Sequence, residues 1–238
     1  MRAILLAAGR GRRLEQQEPK CLLEIEGKTL LARHIDNLAE SGVRALTIVV
    51  GYEQNLIREF VSQMKNNPLP VDFIENPDFV RGSIVSLQKA STLLREGAIY
   101  MDADVLYPAL LMRRLVTSKH DNCVLLDKSS EETGEEMMLG IKDNRVRAVA
   151  RKVTPLGTWD LIGEAVGFAK VGKAGGTVLA DILDREVAAG RLDQEYEAAM
   201  NIAFNEVPWG FEPVDDLAWT EIDFQQDVEK AKRLAAQL

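Results

Sequence analysis

Apolar residues follow two alternating patterns along the first half of the chain. Short runs bounded by glycine or charge read as buried strands: Ala3 to Ala7, "ALTIVVGY" from Ala45, "PVDFIENP" from Pro70 and "AIYMDADVL" from Ala98. Between them, apolar positions recur at helical spacing. Leu30, Leu31, Ile35 and Leu38 do so in "TLLARHIDNLAESG", capped by Thr29 and stopped by Gly42; "EQNLIREFVSQMKN" and "SIVSLQKASTLLREG" follow, the last with Ser83 as cap. Strand and helix alternating up to Leu115 predict a parallel sheet wound by right-handed crossovers, whose ligands lie beyond the carboxyl ends of the strands. The loop at Gly9, the pair Gly51-Tyr52 and the stretch Asp102-Ala103-Asp104 all fall at such ends, so they share one rim.

From about Asp121 the pattern changes to shorter β-like pieces. "NCVLLD", "EEMMLGIKD" and "RVRAVARKV" read as strands with a hairpin turn at "KDNRV", and "EAVGFAKV" as another. Helices follow near Gly176 to Ala189 and Tyr196 to Phe204. "WTEIDFQQDVEKAKRL" reads as an acidic strand tip and then a helix.

The 238 residues, 46% hydrophobic and 28% charged, are long enough for a sizeable α/β core. A formal charge of −8 disfavours attraction to nucleic acid or to anionic membrane surfaces. Locally the balance reverses, because Arg10, Arg12 and Arg13 crowd into the first loop with Lys20 just beyond; a small anion is the ligand this suits. Two cysteines and two histidines offer neither a disulfide framework nor zinc-ligand spacing. The opening apolar run stops at glycine and arginine with no small-residue cleavage site, so a cytoplasmic location is expected.

The first loop fits neither standard phosphate motif. Leu14 stands where a dinucleotide fingerprint needs its third glycine, and no Gly-Lys-Ser/Thr ending is present. Two readings stay open for the loop alone: a solvated turn, or a cradle in which Gly9 and Gly11 admit an anion to backbone N–H groups while Arg13 and Lys20 neutralise it. Asp102 and Asp104 are similarly ambiguous. They share a face if the strand runs through both, and paired acids at strand ends serve as caps and solvated turns as well as ligands.

The whole string "LLAAGRGRRL" followed by "PKCLL" resembles the signature of nucleoside-triphosphate-type nucleotidyltransferases, Leu-Ala-Ala-Gly-x-Gly-x-Arg-Leu and then Pro-Lys, through Gly9, Gly11, Arg13, Leu14, Pro19 and Lys20. "GYEQNLI", "ENPDFVRGSIVSLQKA", "YMDADVL" and "WTEIDFQQDVEKA" are similar to blocks of the cytidylyltransferases acting on phosphocholine and 2-aminoethylphosphonate. The resemblance implies an α/β, Rossmann-like fold: a mixed, mostly parallel sheet with helices on both faces and a small β-rich substrate-binding elaboration. It would form one domain over 1–238, in which residues 1–119 bind the nucleotide, 120–215 form the elaboration, and 216–238 supply a metal-site strand and the C-terminal helix.

The resemblance also assigns roles. Lys20 and Arg13 are the catalytic cations; Leu6, Ala7, Ala8, Gly9, Gly11, Gly82, Ser83 and Asp102 join Arg13 around the nucleotide; Asp104 and Asp223 hold a metal, with Glu221 as neighbour or further ligand. Hard oxygen ligands and a phosphate substrate imply Mg²⁺. The expected partners are CTP and a small phosphorylated or phosphonylated amino alcohol, bound by a monomer or homodimer. Trp159, Tyr196, Glu195 and Glu197 are candidates for an ammonium head. A sugar 1-phosphate is the second choice of acceptor, and a catalytically silent nucleotide-binding protein the alternative of another class.

Overall fold

The computed structural model describes residues 1–11, 14, 18–130, 132 and 134–236. In chain order its strands are β1 (Arg2–Ala7), β2 (Glu24–Ile25), β3 (Lys28–Thr29), β4 (Ala45–Val50), β5 (Val71–Glu75), β6 (Ala98–Asp102), β7 (Val105–Leu106), β8 (Cys123–Asp127), β9 (Met138–Lys142), β10 (Arg145–Ala150), β11 (Leu161–Val171), β12 (Gly210–Pro213) and β13 (Thr220–Glu221). The helices are α1 (Leu30–Glu40), α2 (Gln54–Gln63), α3 (Ser83–Lys89), α4 (Ser91–Arg95), α5 (Ala109–Thr117), α6 (Lys173–Ala188), α7 (Glu197–Glu206) and α8 (Gln225–Ala235).

The main sheet is mixed. Strands β5-β4-β1-β6 are parallel neighbours, and β11 joins β6 antiparallel. Beyond it, β9 and β10 continue the sheet antiparallel, while β8 pairs with the other edge of β11 and β12 with β8. In-register pairing of Ala7 with Val50 and of Leu6 with Asp102 aligns the carboxyl ends of β1, β4 and β6, as the sequence predicts.

Alternation along the strands divides the core. Ile4, Ala8 and Tyr100 face the cluster beneath α3, α4, α6 and α7, whereas Ala3, Leu5, Ala7 and Met101 face the cluster beneath α1 and α5. Helix α1 is capped as expected, Thr29 Oγ1 accepting from the Ala32 N–H at 3.2 Å, and Gly42 takes φ 83° just past its end. Asp143 and Asn144, at φ 52° and 55°, make the "KDNRV" hairpin turn.

Three expected elements differ. "AIYMDADVL" is not one strand: β6 stops at Asp102, the chain bends through Ala103-Asp104, and β7 leaves to pair with β13. "SIVSLQKASTLLREG" breaks at Ala90 into α3 and α4, and its N-cap is Gly82, not Ser83. The strand "EAVGFAKV" begins earlier, at Leu161, because its extension pairs with β9.

Helix α6 packs closely on α4 at Gly176, where a β-carbon would lie 1.9 Å from the Leu94 carbonyl oxygen. Gly176→Ala is therefore expected to lower stability by about 2 kcal/mol or more, since overpacking against backbone has no flexible neighbour to absorb it. Urea denaturation would measure this, and a loss below about 0.5 kcal/mol would mean that the helices slide apart freely.

Candidate functional site

The rim at the carboxyl ends of β1, β4 and β6 gathers most of the residues singled out above. Pro19 leads into a short 3-10 turn, Lys20–Leu22, which anchors Lys20 through buried Cys21. The lysine's alkyl chain then lies across Gly11. This glycine has φ 61°, and a β-carbon on it would stand 2.6 Å from Lys20 Cγ. Gly11 is thus needed both for its left-handed backbone and for the passage of Lys20. Gly9 differs: it is exposed, with nothing among the described residues within 4 Å of where its side chain would be. Arg13 lies outside the described residues. Arg10 is exposed and sits 5.4 Å from the centre of the Tyr52 ring.

Lys20 Nζ donates to Asp104 Oδ2 at 3.0 Å and to Asp223 Oδ1 at 2.5 Å. Asp104 and Asp223 meet because β13 pairs with β7 and the Ile222 N–H donates to the Asp104 carbonyl at 2.9 Å. Glu221 completes the cluster, and one carboxylate oxygen from each of Asp104, Glu221 and Asp223 lies within 4.8 Å of the others. Burial is the largest influence on Lys20 and lowers its pKa, but Asp104 and Asp223 together outweigh it and the net shift is upward. Glu221 is pushed up to about 8, first by loss of solvent and then by Asp104 and Asp223. The donor set suits a hard divalent cation, as oxygen-only carboxylate clusters do.

Next to this cluster, a cavity of about 210 Å³ opens between β6, β11, β10 and α7. A register shift in β11 between Ala165 and Ala169 makes room for it, and Gly167 at φ 79° clears the Asp102 carboxylate, which a β-carbon there would approach to 2.4 Å. Tyr196 is buried and donates from its hydroxyl to Asp102 Oδ2 at 2.7 Å. Loss of solvent, then Asp104 and Glu197, raise Asp102 well above the ordinary carboxylate range. Glu197 is pushed up to about 7, mainly by loss of solvent.

The remaining candidates are placed as follows. Leu6 and Ser83 line the cavity; Ser83 Oγ accepts from the Tyr196 N–H at 2.9 Å, which ties α3 to the segment entering α7. Gly82 packs so tightly on that segment that a β-carbon would stand 2.0 Å from the Gln194 carbonyl. The side chains of Ala7 and Ala8 are buried on opposite faces of the sheet, and the Ala8 carbonyl accepts from the Tyr52 N–H at 3.0 Å. Glu195 and Glu197 both line the cavity, Glu195 paired with Arg151 at 2.9 Å. Trp159 does not join them. Its indole donates to the Val153 carbonyl at 2.8 Å and packs on Gly140 within a small separate core.

Sequence reasoning passed over Tyr100, Glu135, Met137 and Arg151, which also line the cavity. Tyr100 was findable, because period-two alternation puts it on the same face as Asp102. Arg151 lies just past the end of β10 and carried no motif.

With this geometry in place, comparison with known proteins is decisive at one level. The sequence profile of the MobA-like NTP transferase domain matches residues 3–164, more than half of the chain. The chain belongs to this family. Its full length resembles the CMP-5'-(3-aminopropyl)phosphonate synthase of Streptomyces rubellomurinus, with 24% identity covering 97% of this chain and 38% of that protein. It spans between 38% and 51% of the curated relatives that it matches over nearly its whole length. In fold it resembles the CTP:phosphocholine cytidylyltransferase of Streptococcus pneumoniae, with a TM-score of 0.78, 20% identity and 98% of each chain covered. The inositol-1-phosphate CTP transferase of T. maritima gives the same TM-score at 18% identity, covering 99% of this chain and 95% of that one. No helix among the described residues is long and apolar enough to cross a membrane.

A cation bound only by the folded state stabilises it by mass action, by about 2.7 kcal/mol at a hundred times its Kd. Mn²⁺ or Mg²⁺ is therefore expected to raise the melting temperature of the wild-type protein, and Asp104→Ala or Asp223→Ala to remove the effect. An equal rise in all three proteins would exclude these carboxylates as the ligands.

Proposed function

We propose that the chain is a Mg²⁺-dependent cytidylyltransferase that joins CTP to a small phosphorylated or phosphonylated amino alcohol and releases pyrophosphate. The observation that carries this reading is the position of Lys20, held between Asp104 and Asp223 on the lip of a cavity lined by further carboxylates. We propose further that 1–119, 120–215 and 216–238 act together as one domain, since β11 hydrogen-bonds to β6 and β13 to β7.

The reaction brings two anions together, so positioning and charge offset supply most of the catalysis. Gly9 leaves its backbone accessible to triphosphate oxygens, and Gly11 lets Lys20 pass close to the chain. Lys20 offsets charge accumulating at the α-phosphate, and Arg13 retains the leaving pyrophosphate. Mg²⁺ held by Asp104 and Asp223, with Glu221 beside them, would neutralise phosphate oxygens and orient the reacting groups. The acceptor phosphate is largely dianionic near neutral pH, its second pKa being about 6, so attack needs no general base.

The acceptor's ammonium follows from the charge of the cavity. Asp102, Glu135, Glu195 and Glu197 face it with Arg151 as their one cationic companion among the described lining residues. Asp102 is driven toward its neutral form and Glu195 pairs with Arg151, so the attraction for an ammonium head rests chiefly on Glu197, which a neutral polyol would not engage. Cytosine is supported by the three similar proteins named above, whose names carry CMP or CTP, although a uridylyltransferase and a thymidylyltransferase are also similar to the chain.

Pyrophosphate release from CTP is expected with phosphoethanolamine, phosphocholine or 2-aminoethylphosphonate, and to fall by orders of magnitude in Lys20→Ala and Asp104→Ala. Activity confined to a sugar phosphate would overturn the acceptor, and the absence of pyrophosphate release with every pairing of triphosphate and phosphate would favour a silent nucleotide-binding protein.

The acceptor's KM should also depend on pH. Glu197, pushed up to about 7 by loss of solvent, attracts an ammonium only when ionised, so KM should rise as pH falls from about 8 to about 6 and rise less steeply in Glu197→Gln, where the acceptor phosphate still titrates. The same pH slope in wild type and Glu197→Gln would remove Glu197 from the acceptor site.

A further inference from the structure

One histidine is fully buried in α1, and the proposed chemistry makes no use of it. His34 Nε2 lies 3.1 Å from the Ala103 carbonyl oxygen, and its Nδ1 lies 3.3 Å from the Tyr107 hydroxyl. A carbonyl oxygen can only accept, so Nε2 carries the hydrogen. Nδ1 is then an acceptor, and the Tyr107 hydroxyl donates to it. Burial pushes the imidazole pKa down to about 4, which keeps the ring neutral near pH 7.

Ala103 stands between the two aspartates in the bend where the chain has left β6 and not yet begun β7. The bend has two anchors. From one side the Ile222 N–H holds the Asp104 carbonyl, and from the other His34 holds the Ala103 carbonyl. Tyr107 is itself braced, its backbone carbonyl accepting from Asn37 Nδ2 at 2.9 Å and its ring lying edge-on to Phe168 at 4.8 Å. The first residue of α1 also ties down the turn that bears Lys20, through the Leu30 N–H to the Leu23 carbonyl at 3.1 Å. One helix therefore braces both the lysine and the loop that carries its partner.

We propose that His34 is a positioning residue: its imidazole, oriented by Tyr107, holds the Ala103 carbonyl and so sets where the Asp104 carboxylate stands relative to Lys20 and Asp223. The functional consequence rests on the reading of this cluster as the cation site; the mechanical role does not.

The test combines three measurements on the full chain. They are ¹⁵N NMR of the imidazole, simple to assign with two histidines in the sequence, hydrogen exchange at the Ile222 amide, and titration with Mn²⁺ alone. The wild type is expected to show a protonated Nε2 and a bare Nδ1. His34→Leu should lose at least tenfold in protection at Ile222 and at least tenfold in Mn²⁺ affinity, with the amides of β4 unaffected. His34→Gln, whose amide can still donate to Ala103, should recover most of both.

A ring protonated on Nδ1 would overturn the proposal. So would a folded His34→Leu protein with wild-type protection at Ile222, whatever its melting temperature. Should His34→Leu not fold, Tyr107→Phe carries the test: it keeps the imidazole but removes its support, and unchanged Ile222 exchange would again overturn it. A wild type that binds no Mn²⁺ overturns the cation reading of the cluster, and exchange and NMR then decide the role of His34.

Discussion

The constraint on which this architecture turns is electrostatic. Asp102, Asp104, Glu221 and Asp223 converge at one end of a sheet, and Lys20 is the cation that reaches into them. Loss of solvent first, and then repulsion from the neighbouring carboxylates, drives Glu221 and Asp102 upward. The fold places the Lys20 ammonium where it touches Asp104 and Asp223, and the negative charge of the cluster still exceeds what one lysine offsets. Excess negative charge at a fixed place is what recruits cations, and here it lies beside Gly11, across which the Lys20 side chain runs.

Much of the frame was legible from local pattern. Runs such as Ala3 to Ala7 and the helical spacing of Leu30, Leu31, Ile35 and Leu38 report burial directly, because each lies in an element long enough to show its period. The candidate site was legible through Gly9, Gly11, Lys20, Asp104 and Asp223, because each belongs to a block of sequence with a recognisable pattern and the parallel strands bring those blocks to one rim.

The rest was not legible for physical reasons. β7 and β13 are two residues each, below any periodicity, and exist only because each provides the other's hydrogen bonds. The break after Asp102 depends on that pairing, so no local feature of "YMDADVL" announces it. Ser83 has the chemistry of a helix cap, yet its hydroxyl is taken by Tyr196 from a distant segment. Trp159 has the look of a ligand-stacking aromatic, but the two glycines beneath it, Gly140 and Gly157, create a flat bed for an indole in the core. In both places a tertiary contact, not a local pattern, fixes where the side chain lies.

The β7–β13 ladder has a kinetic consequence. It joins segments far apart in sequence by two residue pairs, so closing it costs considerable chain entropy for little local reward. The acidic centre is therefore expected to assemble late, after the parallel strands that carry Asp102 have docked. A newly made chain would hold its parallel strands before it held all of its carboxylates together, and so would be shaped before its acidic centre was complete.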